Sequence, residues 1–279
     1  MRYYLKLFVS AALLYSLYSF SYRNAPEPAS GIAFYHFFHI RDTTNIGKIW
    51  EEDFQMAFNS RKSLYSSYTK KIQDSIHNAK FEAAIKSGSN EIDMGLFVPS
   101  TADNIYTSED ENTVYVNKFF NDNNYVIKED FEKINWKIEK ETKTLLGYTC
   151  QKAIGICKGR AYTAWFTTDV PVSFGPWKLH GLPGLILEAY DASQRIKFTC
   201  TKITLGTTIP NSLSLNLPKE AIATTDAEYN RMEKAYKEGL SMDGYNDGAA
   251  TIDKISVNNN KSTSNIKRPA LNYPLELKN

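Results

Sequence analysis

The stretch GPWKLHGLPGLILEAYD, Gly175 to Asp191, sets two proline corners around an aromatic-basic run and then opens into an apolar strand. Pro183 presets φ for the second position of a turn, and Gly184 is expected to take the positive φ that the third position of a type II turn requires. Gly175, Pro176 and Gly181 serve as the other turn residues. Trp177, Lys178, His180, Leu182 and Pro183 are the candidate ligand- or partner-contacting residues. The competing reading is architectural: the loop locks a corner of the sheet and buries Trp177 and Leu182. Neither reading is catalytic, because the run holds no nucleophile–base pair and no cluster of metal ligands.

Working outward, Gly147 to Ile156, Arg160 to Thr167, Leu185 to Asp191 and Arg195 to Leu205 alternate in the period of strands, with Lys158-Gly159 and Ala192-Ser193-Gln194 as tight connections. This is an antiparallel meander interrupted by one long loop, Asp169 to Gly184. Upstream, Ile32–Ile40 is a dense β-type run whose aromatic residues, Phe34 to Phe38, suit either a core or the lining of an apolar cavity. Trp50–Phe58, Ser63–Tyr68, Val114–Phe120, Tyr125–Ile127 and Trp136–Glu141 are further strands. Between them Ile72, Ile76, Ala79, Ala83 and Ile85 follow helical spacing over Thr69–Lys86, closed by Ser87-Gly88-Ser89. Thr225-Asp-Ala-Glu228 is a capping box that opens a second helix, with Tyr229, Met232, Tyr236 and Leu240 on one face.

The expected fold is therefore mainly β (α+β), a curved antiparallel sheet or half-barrel with two packed helices. Residues 22–240 form a single β-rich domain. Residues 241–279 form a polar, flexible segment and a C-terminal tail, in which Pro269–Leu277 is apolar.

Residues 1–21 read as a signal peptide: Arg2 and Lys6, an apolar run from Leu7 to Tyr18, then Ser19-Phe20-Ser21. The apolar run is shorter than the roughly 18–20 residues of a spanning helix, and no lipobox cysteine follows. The expected address is the periplasm or the exterior. The 33 basic and 31 acidic residues nearly balance, which gives no long-range attraction for nucleic acid. Three cysteines in an exported chain invite one bridge. Cys150 and Cys157 on one strand would lie roughly 23 Å apart, beyond the ~7 Å a bridge spans. Cys150–Cys200 is the pair if one forms, and both also suit a core as small residues.

The chain resembles the family of exported Bacteroidota proteins named for its GLPGLI motif, here Gly181 to Ile186. The resemblance extends to Leu146-Gly147-Tyr148, Gln151-Lys152-Ala153, Arg160, Ala164-Trp165, Asp169-Val170-Pro171 and Gly175-Pro176-Trp177. It also takes in the closing Asn272–Leu277. It implies a β-rich plan similar to lipoprotein-carrier half-barrels, and no activity.

Chemistry elsewhere is sparse. His36 and His39, three apart on a strand, point to opposite faces, and His77 and His180 sit at no ligand spacing. No metal and no cofactor are expected, and no hydrolase elbow or thiol–histidine pair is present. The expected function is a non-catalytic binder of an apolar ligand such as a lipid or acyl chain. The alternative is an accessory module for an outer-membrane transporter or peptide-export system. A hydrolase centred on His180 with Asp169 or Glu188 is the third reading.

Overall fold

The computed structural model describes residues 27–88, 91–93, 95–206, 209, 213–237 and 272–277. The signal-peptide segment, Leu240 and most of 241–279 lie outside the described residues. Twelve strands form one sheet: β1 (Gly31–Ile40), β2 (Ile49–Phe58), β3 (Lys62–Ser67), β4 (Asn104–Ser108), β5 (Thr113–Phe120), β6 (Asn123–Asp130), β7 (Lys137–Leu145), β8 (Tyr148–Cys157), β9 (Arg160–Thr167), β10 (Leu185–Asp191), β11 (Ile196–Leu205) and β12 (Ile222–Thr224). Among the described residues two helices join them, α1 (Tyr68–Ser87) and α2 (Asp226–Lys237). The described fold is mainly β (α+β), as the patterning predicts.

The sheet order is β12-β6-β5-β4-β3-β2-β1-β11-β10-β9-β8-β7. All pairs are antiparallel except β12–β6. The β1–β11 pairing joins two meanders, with Tyr35 opposite Cys200 and Phe37 opposite Phe198. From β6 to β8 there are nine strand spacings, about 43 Å if the sheet were flat. Yet Glu129 near the end of β6 accepts from Lys158, in the turn after β8, at 2.9 Å. The sheet therefore curls until its two ends meet.

Alternation along the strands fills the enclosed face. Tyr35, Phe37, Phe54, Met56, Tyr65, Ile105 and Val114 meet Cys150, Tyr162, Phe166, Leu185, Leu187 and Phe198 in one core. Phe54 stacks on Tyr65 at 4.7 Å and Phe37 on Phe198 at 4.8 Å. The aromatic run of β1 is thus core packing: Tyr35 and Phe37 are buried and Phe34, His36 and Phe38 are half-exposed.

Both helices start where side chains satisfy free backbone N–H groups. Ser67 Oγ accepts from Lys70 N at 2.9 Å to open α1, and Gly88, at φ 64°, closes it. At α2 the Thr225 hydroxyl accepts from Glu228 N (3.2 Å), and Thr225 N donates back to the Glu228 carboxylate (3.0 Å). Helix α2 packs through Tyr229 of its expected face, set against Phe120 and Tyr125, while Tyr236 is exposed. Helix α1 does not bury the expected stripe: Ile72, Ile76 and Ile85 are exposed, and Ala84 is its one buried residue among those described. The reason is that its sheet-facing side is polar.

Candidate functional site

The corner of Gly175 to Gly184 occupies the seam where the sheet closes. Gly181 N donates to Ser173 O, Leu185 N to Val170 O and Ile186 N to Phe174 O, all between 2.9 and 3.0 Å. Of the five candidate contact residues only Pro183 is exposed; Trp177, Lys178, His180 and Leu182 are buried. These four side chains turn inward, as the architectural reading expects, and only the Lys178 ammonium reaches outward, to Glu276.

The glycines act differently from the expected type II turn. Gly184 does not adopt positive φ; Trp177 (φ 58°) and Gly181 (φ 87°) do. A Cβ on Gly184 would run into the Thr167 carbonyl, 2.6 Å from its carbon. Glycine is required there by close approach of β9. Gly175 is likewise held by contact, since a Cβ would lie 2.7 Å from Ile186 Cδ1.

Lys178 is the electrostatic centre of the seam. Its Nζ donates to both Glu129 oxygens (2.8 and 2.7 Å) and to Glu276 (2.6 Å). Burial would raise the Glu129 pKa, but the Lys178 and Lys158 cations outweigh it and hold the carboxyl below its ordinary value. A buried lysine is tolerated because it is paired.

His180 meets backbone rather than a carboxylate. Nδ1 faces Lys178 O at 2.8 Å and Nε2 faces Glu132 O at 2.9 Å, so both ring nitrogens meet backbone carbonyls, and the neutral ring donates its one N–H to either of them. Glu188 pairs instead with Lys143 at 3.0 Å. Burial lowers the His180 pKa against the pull of those two carbonyls. Its role is to tie the 131–136 crossover to the corner, helped by Trp136 Nε1 donating to His180 O at 2.8 Å. Among the described residues neither Asp169 nor Glu188 hydrogen-bonds His180.

The expected Cys150–Cys200 bridge is not formed: Cys150, Cys157 and Cys200 are all free and buried. β9 and β10 separate the strands that carry Cys150 and Cys200. Burial pushes the Cys157 and Cys200 thiols up to about 12, the behaviour of core residues.

The opening suited to a ligand lies elsewhere. A groove of about 620 Å³ runs between α1 and strands β2 to β4. Its lining is mostly amide, hydroxyl and charged, with Gln55, Asn78, Thr101 and Asn104 beside Lys70, Lys71, Asp74 and Glu82, and is interrupted by Ala79 and Ala102. Two cations and two carboxylates, all carried by α1 and with Lys70 paired to Asp74, leave the groove neutral in sum. Its rim is preorganised by Glu52, which is 2% exposed. The Glu52 carboxylate accepts from Thr101 N and Thr101 Oγ1, both at 2.7 Å, and from Trp50 Nε1 at 3.1 Å. Lys71 Nζ donates to Gln55 Oε1 at 3.3 Å, bridging helix and sheet. Sequence reading missed this site, because its residues come from separated segments. One signal was available: Lys71, Ser75, Asn78 and Glu82 make a polar stripe at helical spacing.

Comparison with known proteins returns a match to the family model described as N-glycanase peptide, N-terminal domain, over residues 65–227. That span is 163 of the 279 residues and includes the corner and the groove lining other than Gln55. No curated protein matches. Among solved structures, PNGF-II in the P21 space group is similar at 19% identity and TM-score 0.50, covering 73% of this chain and 33% of that one. PNGF-II in the C2 space group is similar at 20% identity and TM-score 0.49, covering 72% and 32%. This chain thus spans about a third of the length of the solved structures it matches. The family whose model matches is not the one named for the corner motif. With its model matched across more than half the length, the chain belongs to the N-glycanase peptide, N-terminal domain family.

Proposed function

We propose that this chain is an exported, non-catalytic binding domain whose α1 groove holds a neutral, polyhydroxylated ligand of the N-glycan type. The carrying observation is the lining of that groove. Its volume falls in the range of small-molecule sites. Its amides and hydroxyls are donors and acceptors for sugar hydroxyls, and its balanced charges disfavour a strongly charged ligand. An apolar ligand is the weaker form of this reading, since the enclosed face of the sheet is filled by its own side chains. The name of the family, an N-glycanase, supports a glycan as the ligand class; the domain's part would be to hold substrate rather than cleave it.

Isothermal titration with a biantennary N-glycopeptide tests this, using wild type and the Asn78→Ala and Asn104→Ala variants. Binding that weakens at least fivefold in each variant, with unchanged thermal stability, supports the reading. No binding by the wild type, or equal binding by all three, ends it.

A second reading keeps the domain non-catalytic and makes it an interaction module. It rests on Leu96 and Phe97, 95% and 73% exposed. They are presented by a segment that Gln73 holds along α1 through two bonds to Val98. Loss of a co-purifying envelope protein on Phe97→Ser substitution would favour it over the glycan reading.

A further inference from the structure

The segment Asn272–Leu277 lies across the ends of β1, β8, β9 and β10 in the manner of a bound peptide. We propose that its berth is a peptide-recognition site and that this strap is a built-in occupant. The ligand admitted in its place is an extended segment of a partner protein with the chemistry Tyr-Pro-x-Glu.

The contacts divide as they do in peptide recognition, with backbone bonds for affinity and side-chain pockets for selectivity. Four bonds read the strap backbone. Tyr273 N donates to Arg41 O at 3.1 Å and Leu277 N to Lys158 O at 3.0 Å. His39 Nε2 donates to Tyr273 O at 2.8 Å, and Arg160 donates to Pro274 O at 2.7 Å. The Tyr273 ring sits under two guanidinium groups, Arg160 at 4.2 Å and Arg195 at 5.3 Å. Its hydroxyl donates to Asp191 and lies 2.8 Å from Ser193 Oγ. Glu276 completes the set on Lys178.

Two features make the strap releasable. None of its described residues is buried; Asn272, Pro274 and Leu277 are exposed and the others half-exposed. The charged groups of the berth also keep partners on the body when it leaves. Lys178 retains Glu129, and Asp191 retains Ser193 Oγ, Ile196 N and Arg160. Arg160 is 8% exposed, and its Nε has no hydrogen-bond partner even with the strap in place. That is a donor left for a better-fitting ligand. A tethered strap competes at an effective concentration of about a millimolar, so binding in trans is suppressed until the strap is weakened.

The test uses the full chain carrying Tyr273→Ala and Glu276→Lys, with a fluorescein-labelled NYPLEL hexapeptide followed by anisotropy. The expected result is binding at least tenfold tighter than to wild type, and none by a peptide with alanine for tyrosine. A folded variant that binds no peptide, or binds no better than wild type, overturns the proposal. Association of the variant with a second copy in place of peptide, seen by sedimentation, reassigns the occupant and overturns it too. Should the variant not fold, hydrogen exchange in wild type decides. Tyr273 and Leu277 amides exchanging at least tenfold faster than Ile196 support a releasable strap. Exchange at the rate of the sheet makes it a fixed part of the fold.

Discussion

Replacing Gly184 by alanine tests the packing account of the corner most sharply. Its Cβ would lie 2.6 Å from the Thr167 carbonyl carbon and 3.0 Å from Thr168 Cα, both main-chain atoms of the end of β9 and the turn beyond it. No side chain can rotate away, so β9 and β10 must part where Leu185 pairs with Thr167. Overpacking costs about 1–3 kcal/mol where neighbours can relax; with backbone on the far side, about 3 kcal/mol or more is expected. At roughly 2–4 °C per kcal/mol for a domain of this size, that lowers the melting temperature by about 6–12 °C. Gly181→Ala is the control. A Cβ there has open space, with Trp136 Nε1 at 3.8 Å, but φ is 87°, and the cost is about 1–2 kcal/mol. Urea denaturation of the two variants orders them. If Gly184→Ala costs less than Gly181→Ala, close approach is not what glycine supplies at 184, and the reasoning fails.

Burial holds the His39 pKa at about 4, against an ordinary value of 6.5, with Arg41 and Arg160 adding to the depression. The native state therefore binds fewer protons here than the unfolded chain. Its contribution is full above pH 6.5 and is lost as pH falls towards 4; an NMR titration should place the His39 midpoint near the lower value, and a midpoint at 6.5 or above would contradict it. At the seam, Glu129→Ala should cost about 3 kcal/mol by stranding much of the charge on buried Lys178. Lys178→Met, which removes the buried charge altogether, should cost at most about half as much; calorimetry showing the reverse order would mean the lysine is not held mainly by Glu129.

Much of the fold was legible in local pattern. The strands of the second meander, the Thr225 capping box and the long loop stand where alternation, cap chemistry and turn residues place them. β4 and β12 were not legible: Asn104–Ser108 is short and mostly polar, and Ile222–Thr224 is three residues paired in parallel to β6. The roles of the corner glycines were hidden for a non-local reason, since what excludes a side chain at Gly184 is the Thr167 carbonyl on another strand. Helix α1 misled through its isoleucines, whose spacing implies burial although its polar stripe faces the sheet. The groove needed the fold to bring Gln55, Asn78 and Thr101 together, and no spacing rule links those positions.

We place glycan binding in the α1 groove and give the Gly175–Gly184 corner no part in holding the glycan. Amide chemical-shift mapping during titration with an N-glycopeptide tests it directly. Shifts concentrated at Gln55, Asn78, Thr101 and Asn104, with Phe174 to Ile186 unmoved, are the predicted result. Shifts centred on Trp177 and Lys178, or none anywhere, would contradict it.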